Sequence, residues 1–251
     1  MVAAAAAELT IALHREYHSH VKSPPASRVE LDEVVVNIEL TLGSIVQGLA
    51  LSFLADEAGS VLSKGPAMAW PYVGVAFLII LLFWSRALIH TLTLIRWPLE
   101  FVHNFFYFAC ALVEVLAFKN LADPFLWFVL NAVFAAFVWA LFWHDLRIIR
   151  LRTKDSVGPS SFRLYAIVEA DQCLNIRVIM PAVLVFNVLC AAAIRLAPEI
   201  FLTRHGHVAL VLAQGAGLLV YLTSVVRSFV RITPLISATR AEWRDDVEEG
   251  I

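Results

Sequence analysis

Six side chains that are costly in hydrocarbon sit inside apolar runs of this sequence: Glu39, Arg86, His90, His103, Asn104 and Glu114. Groups of these types within membrane-length segments turn to a bundle interior or a water-filled cavity, and they mark ion pathways, proton relays or buried ion pairs. His90 and His103 lie the same number of residues either side of position 96/97 in a short turn at Arg96-Trp97-Pro98. With about 1.5 Å of rise per residue, both lie roughly 10 Å from that turn. Two apolar runs joined so closely must return antiparallel, which brings the two imidazoles to one depth. Glu114 follows His103 by eleven residues, about 20° around an ideal helix, so it shares that face nearer the opposite boundary. Glu39 enters from the same end as the histidines, and Arg86 or Arg227 is its expected counter-charge.

A line of such groups suits an ion or proton path, because histidine changes its charge near neutrality and a carboxylate attracts cations. Glu39 would be the charge at the inner mouth, His90 and His103 the titratable pair, and Arg86 the counter-charge. Gln47, Asn131 and Gln214 are further polar groups available to line it. The same residues also have structural readings. Arg86 can snorkel to the interface, and Glu114, five residues before Lys119, can reach outer water. The histidines can hydrogen-bond across the hairpin, and Glu39 can be half of an ion pair that locks two helices.

The elements that position these groups follow from composition. Of 251 residues, 60% are hydrophobic and 16% charged, and the mean hydropathy is +0.77. Soluble domains run nearer about 45–50% apolar and about 25% charged, so the excess must be buried in lipid. Six runs approach the ~20 residues that cross a bilayer core: 34–54, 70–92, 99–118, 124–144, 178–197 and 207–229. The expected fold is an all-α, polytopic bundle of about six transmembrane helices. Fifteen of the 19 basic residues fall on the side that holds both termini, the 93–98 turn and the 145–177 loop. The positive-inside rule makes that side cytoplasmic. Trp70 and Trp127 then fall near the outer interface, and Trp97 and Trp143 near the inner one.

Residues 1–33 form a cytoplasmic N-terminal segment with a short amphipathic helix over Glu8 to Tyr17, ended by Ser23-Pro24-Pro25, and no signal peptide is recognised there. His14 and His18 have an i, i+4 spacing, but no further ligand accompanies them, so a solvated interfacial helix is the reading kept. Residues 34–232 form the six-helix domain. Its loop 145–177 should contain a helix from Phe162 to Arg177 lying on the membrane surface, with Leu164, Ile167 and Leu174 on its apolar side and Glu169, Asp171 and Gln172 mostly away from it. Residues 233–251 form a short acidic cytoplasmic tail. The three cysteines have no metal-ligand or disulfide spacing.

These features exclude several functions. A net charge of -2 gives no basic field for nucleic acid. There is no potassium-filter motif, no arginine at every third residue of a span, and no metalloprotease, serine-hydrolase or P-loop signature. No lysine lies mid-membrane to carry retinal. Three functions remain: a homo-oligomeric ion channel or proton-linked carrier, an accessory or scaffold subunit of a larger membrane complex, and a haem- or metal-binding redox protein using His90, His103 or His144. The first is the leading expectation, in a plasma or bacterial-type inner membrane. Catalytic residues, cofactors and metals are not expected, and the partners are the lipid bilayer and further copies or a larger complex. Gly215-Ala216-Gly217 is the candidate helix-packing patch.

Overall fold

The computed structural model describes residues 25–64, 67–94, 101–154 and 158–249, and every regular element among them is helical. The segment with His14 and His18, the Arg96-Trp97-Pro98 turn and residues 155–157 lie outside the described residues. Helix α1 spans Pro25–Lys64, α2 Trp70–Leu94, α3 Phe101–Phe118, α4 Pro124–Lys154, α5 Pro159–Leu174, α6 Met180–Leu196 and α7 His207–Glu249. A π-turn at Asn175–Ile179 carries α5 directly into α6, making one 38-residue rod from Pro159 to Leu196. Counted with that rod, six helical stretches are long and apolar enough to cross a membrane. The chain is a six-span, all-α membrane bundle.

Local chemistry sets the ends. Asp123 Oδ1 accepts the Leu126 amide at 3.0 Å ahead of Pro124, a capping carboxylate followed by proline at the first helical position. Before α7, His205 adopts φ 58°. A Cβ on Gly206 would stand 2.9 Å from the Ile200 carbonyl oxygen, so glycine is what lets the chain turn there.

Two helices outrun their apolar stretches. Beyond His144, α4 keeps Asp145, Leu146, Ile148 and Ile149 buried while Arg147, Arg150, Leu151 and Lys154 are exposed, a one-sided pattern at helical period. The stretch that reads as a loop is therefore mostly helix. Pro234 removes one backbone donor from α7, yet the helix continues to Glu249. Ile232 and Ile236 pack there with Ile89, Leu164 and Val225. Helix α5 does not stand apart on a membrane surface. It packs along both α4 and α7, burying Leu164 and Gln172 and leaving Leu174 exposed.

Packing closes a circuit: α1 on α2, α2 on α7, α7 on α5, α5 on α4, α4 on α3, and α3 back on α1. Past the π-turn, α6 continues along α4 and reaches α7 where Gln214 donates to Asn187 at 3.1 Å. The half of the bundle away from the arginines is filled by Tyr72, Ile79, Phe118, Trp127, Phe128, Ile194 and Val211. Lipid tails are as apolar as these side chains, so dispersion and a few hydrogen bonds hold such a core together. Trp127 shows the second effect. Rather than sitting at the interface it is fully buried, donating its indole N–H to Gln214 at 2.9 Å and meeting Tyr72 edge-on at 5.4 Å. Trp70 and Trp143 are exposed, as belt residues are. Gly215 faces Val75, whose Cγ2 would lie 3.0 Å from an added Cβ, so part of the small-residue patch is spent between α2 and α7.

Candidate functional site

Inside the circuit of helices, in the arginine-rich half, lies a cavity of about 40 Å³ bordered by α2, α3, α4, α5 and α7. That volume has room for on the order of two or three water molecules. His90 from α2, His103 from α3 and Asp145 from α4 meet at its wall, and all three are buried. The imidazoles stack with ring centroids 4.0 Å apart and planes within 4°. His103 Nδ1 lies 2.9 Å from Asp145 Oδ1, and His90 Nδ1 lies 3.5 Å from Asp145 Oδ2. A carboxylate accepts, so the shorter contact puts the proton on His103 Nδ1. The histidines do meet at one depth, but they stack and share a carboxylate instead of hydrogen-bonding each other. His90 Nε2 is buried without a hydrogen-bond partner.

Arg86, one turn before His90, points to α5. Its Nη1 donates to Asp171 Oδ2 at 2.6 Å and its Nη2 to Gln172 Oε1 at 2.9 Å, while the guanidinium lies 5.2 Å above the Phe142 ring. It is an internal ion pair and does not snorkel. The network continues. Gln172 donates to the Phe142 carbonyl at 3.0 Å, Asn175 Nδ2 donates to Asp171 Oδ2 at 3.1 Å, and the Tyr221 hydroxyl donates to Asn175 Oδ1 at 2.6 Å. These contacts join α2, α4, α7 and the rod of α5 and α6 within the arginine-rich half.

Glu39 is buried on α1 and accepts from Asn104 Nδ2 at 2.7 Å. Its partner is a neutral amide on α3 and neither expected arginine, because Arg86 is engaged by Asp171 and Arg227 is exposed. Further along α3, Tyr107 lines the cavity, stacks on Phe83 at 4.9 Å and donates to the Gly43 carbonyl at 3.4 Å. Glu114 does not reach outer water; it is 2% exposed. The buried Gln47 amide is within reach of both the Tyr107 hydroxyl and the Glu114 carboxyl, short of a formed hydrogen bond to either. Asn131 bonds back to the Trp127 carbonyl at 2.9 Å, and Gln214 joins Trp127 to Asn187. Neither lines the cavity.

Of the six side chains first singled out, Arg86, His90 and His103 share the cavity. Glu39 and Asn104 form a separate pair between α1 and α3, and Glu114 stands alone higher on α3. Asp145, Asp171, Gln172, Asn175 and Tyr221 were the missing members. Asp145 carried a readable signal: it falls on the buried stripe of a helical pattern that continues past the apolar run. No protein-family model, curated protein or solved structure matches this chain.

Proposed function

We propose that this membrane protein moves a cation through the interior of its helical bundle, as a gated channel or a proton-linked carrier. One observation carries the reading. Among the described residues lining the cavity, two carboxylates, Asp145 and Asp171, face one permanent cation, Arg86, which is already bonded to Asp171. Asp145 therefore has only His90 and His103 beside it, which are cations when protonated and neutral otherwise. A carboxylate left without a full counter-charge inside apolar spans costs several kcal/mol, and a mobile cation relieves that cost. Tyr107, Gln47 and Glu114 supply polar groups from the cavity toward the far boundary. Arg86, Gln172 and Asn175 add polar groups on the same side, a turn or more from His90 and Asp145 and away from the arginine-rich end. The cavity fits an ion with few waters and not a water column, which favours a gated or carrier mechanism over a standing pore.

The polar groups turn inward within one chain, so each copy would hold its own path. Association of copies is assigned to the exposed Ala216 and Gly217 on α7, in a plasma or bacterial-type inner membrane. The second reading, an accessory subunit, is favoured by the extent of the Arg86–Asp171–Gln172–Asn175–Tyr221 network, which serves equally as a structural lock.

The experiment is cation flux from liposomes containing purified full-length protein, with Asp145→Asn and Glu114→Gln beside the wild type. Wild-type flux should fall at least about tenfold in Asp145→Asn, the factor that 1.4 kcal/mol of lost stabilisation produces. Absence of flux for protons and for every cation tested, with protein that elutes as a folded species, overturns the transport reading and favours the accessory one.

A further inference from the structure

We propose that His90, His103 and Asp145 form a binding site for a divalent transition-metal ion of the Zn²⁺ class. As a statement about cargo it rests on the transport reading above; as a statement about binding it stands alone. One donor atom from each of the three residues lies within 4.8 Å of the other two, and all three residues are buried. Metal–nitrogen and metal–oxygen bonds of about 2.0–2.2 Å place neighbouring ligands of a tetrahedral ion about 3.4 Å apart. The His90 Nδ1 to Asp145 Oδ2 separation of 3.5 Å already has that value. The His103 Nδ1 to Asp145 Oδ1 separation is 2.9 Å, a hydrogen-bond length that lengthens by about half an ångström when a metal replaces the proton.

Donor chemistry selects the class of ion. Two imidazole nitrogens and one carboxylate oxygen suit Zn²⁺ and its first-row neighbours and leave open positions, whereas Mg²⁺ and Ca²⁺ prefer oxygen-only shells. Charge agrees, since a divalent cation offsets Asp145 and the excess of carboxylates around the cavity. The sequence kept His90, His103 and His144 as the ligands of a less favoured haem or metal reading and left out Asp145, which sits on a helix that reads as ending one residue before it.

The stacked rings define what must move. Stacked rings with parallel planes and centroids 4.0 Å apart cannot both hold one ion in plane, so one imidazole has to turn. His90 is the ring that turns. Its Nδ1 contact to Asp145 is the looser of the two, its Nε2 has no hydrogen bond to lose, and it borders the cavity. His103 keeps its orientation, since the metal takes the place of the proton between its Nδ1 and Asp145 Oδ1.

The test uses purified full-length protein carrying His14→Ala and His18→Ala, which removes the competing N-terminal pair. Co²⁺ is the probe, followed by visible absorption and displaced by Zn²⁺, with Mg²⁺ and Ca²⁺ as controls. The expected result is one Co²⁺ per chain with the intense bands of a low-coordinate nitrogen and oxygen site, displaced by Zn²⁺ and unaffected by Mg²⁺ or Ca²⁺. Asp145→Asn should weaken binding by at least about tenfold, at the low end of what loss of a metal-site partner costs. Since that variant can fail to fold, His103→Cys is the second arm: a thiolate ligand adds a sulfur-to-cobalt charge-transfer band in the near ultraviolet. Folded His103→Cys protein without that band, or wild-type protein without saturable Co²⁺ binding, overturns the site. Flux is scored separately. Monovalent-cation flux without Co²⁺ binding removes the metal and leaves the transport reading intact. Metal binding without flux of any ion keeps the site and removes the transport reading.

Discussion

Replacing Arg86 by methionine tests whether the arginine-rich end is held by a buried ion pair. The guanidinium makes two charged hydrogen bonds, at 2.6 Å to Asp171 and 2.9 Å to Gln172, each contributing about 1.5–3 kcal/mol net. Its position 5.2 Å over Phe142 adds roughly 0.5–1 kcal/mol. Breaking a buried pair from one side costs about 3–5 kcal/mol because a charge is stranded. The two sides are not equivalent. Asp171 is 31% exposed and Arg86 11%, and Asp171 also keeps Asn175. Arg86→Met should therefore cost about 3 kcal/mol, and Asp171→Asn, which strands the deeper group, about 4–5 kcal/mol. The pair Arg86→Met with Asp171→Asn strands neither charge and should cost less than either single change. Reversible unfolding in detergent micelles titrated with dodecyl sulfate measures all three, and the double-mutant cycle should return at least about 2 kcal/mol of coupling. Costs that add within about 0.5 kcal/mol, or an Arg86→Met cost under about 1 kcal/mol as for a surface pair, would refute the reasoning.

Four further outcomes follow from the packing. Trp127→Phe keeps the edge contact with Tyr72 but leaves Gln214 Oε1 buried without its indole donor; the same unfolding assay should show a loss of about 1–3 kcal/mol. Gly215→Val drives a branched side chain into Val75, whose Cγ2 is already 3.0 Å from the Cβ position, and should cost about 1–3 kcal/mol. Gly217→Val meets nothing within 4 Å and should change monomer stability by less than about 0.5 kcal/mol, so any loss of chain association in that variant, read by cross-linking, reports on contacts between copies. Glu242→Ala removes the carboxylate that accepts the Ser160 and Ser161 amides at 2.7 and 3.0 Å. Hydrogen exchange at those two amides should then quicken while exchange at mid-α4 is unchanged.

Membrane class and span number were legible because a span's length and apolarity are properties of consecutive residues. The meeting of His90 and His103 was legible for a related reason: a short turn leaves antiparallel helices little freedom. Partners across non-adjacent helices were not. Depth placed Glu39 level with Arg86, but depth says nothing of which faces meet, and the two residues chose Asn104 and Asp171 instead. Asp171 was hidden on a helix read as lying at the membrane surface with that side chain off its apolar side, and Asp145 by its position at the polar edge of an apolar run. There a carboxylate reads as the start of a loop, unless the helical stripe beyond it is followed. Glu114 was read as able to reach water from its distance to Lys119, yet it is 2% exposed, with Gln47 of α1 beside it.

The π-turn between α5 and α6 fixes the rotational phase of two half-rods. On one side of it Gln172 must point at the Phe142 carbonyl, and on the other Asn187 must point at Gln214. Adding or removing one residue within 175–179 rotates one half by about 100° against the other, so both contacts cannot survive the change. Chain length in those five residues is thereby as constrained as any side chain in the bundle, although nothing in their composition announces it. Substitutions there should be tolerated far better than single-residue insertions or deletions, which deep insertion–deletion scanning of this stretch would read directly.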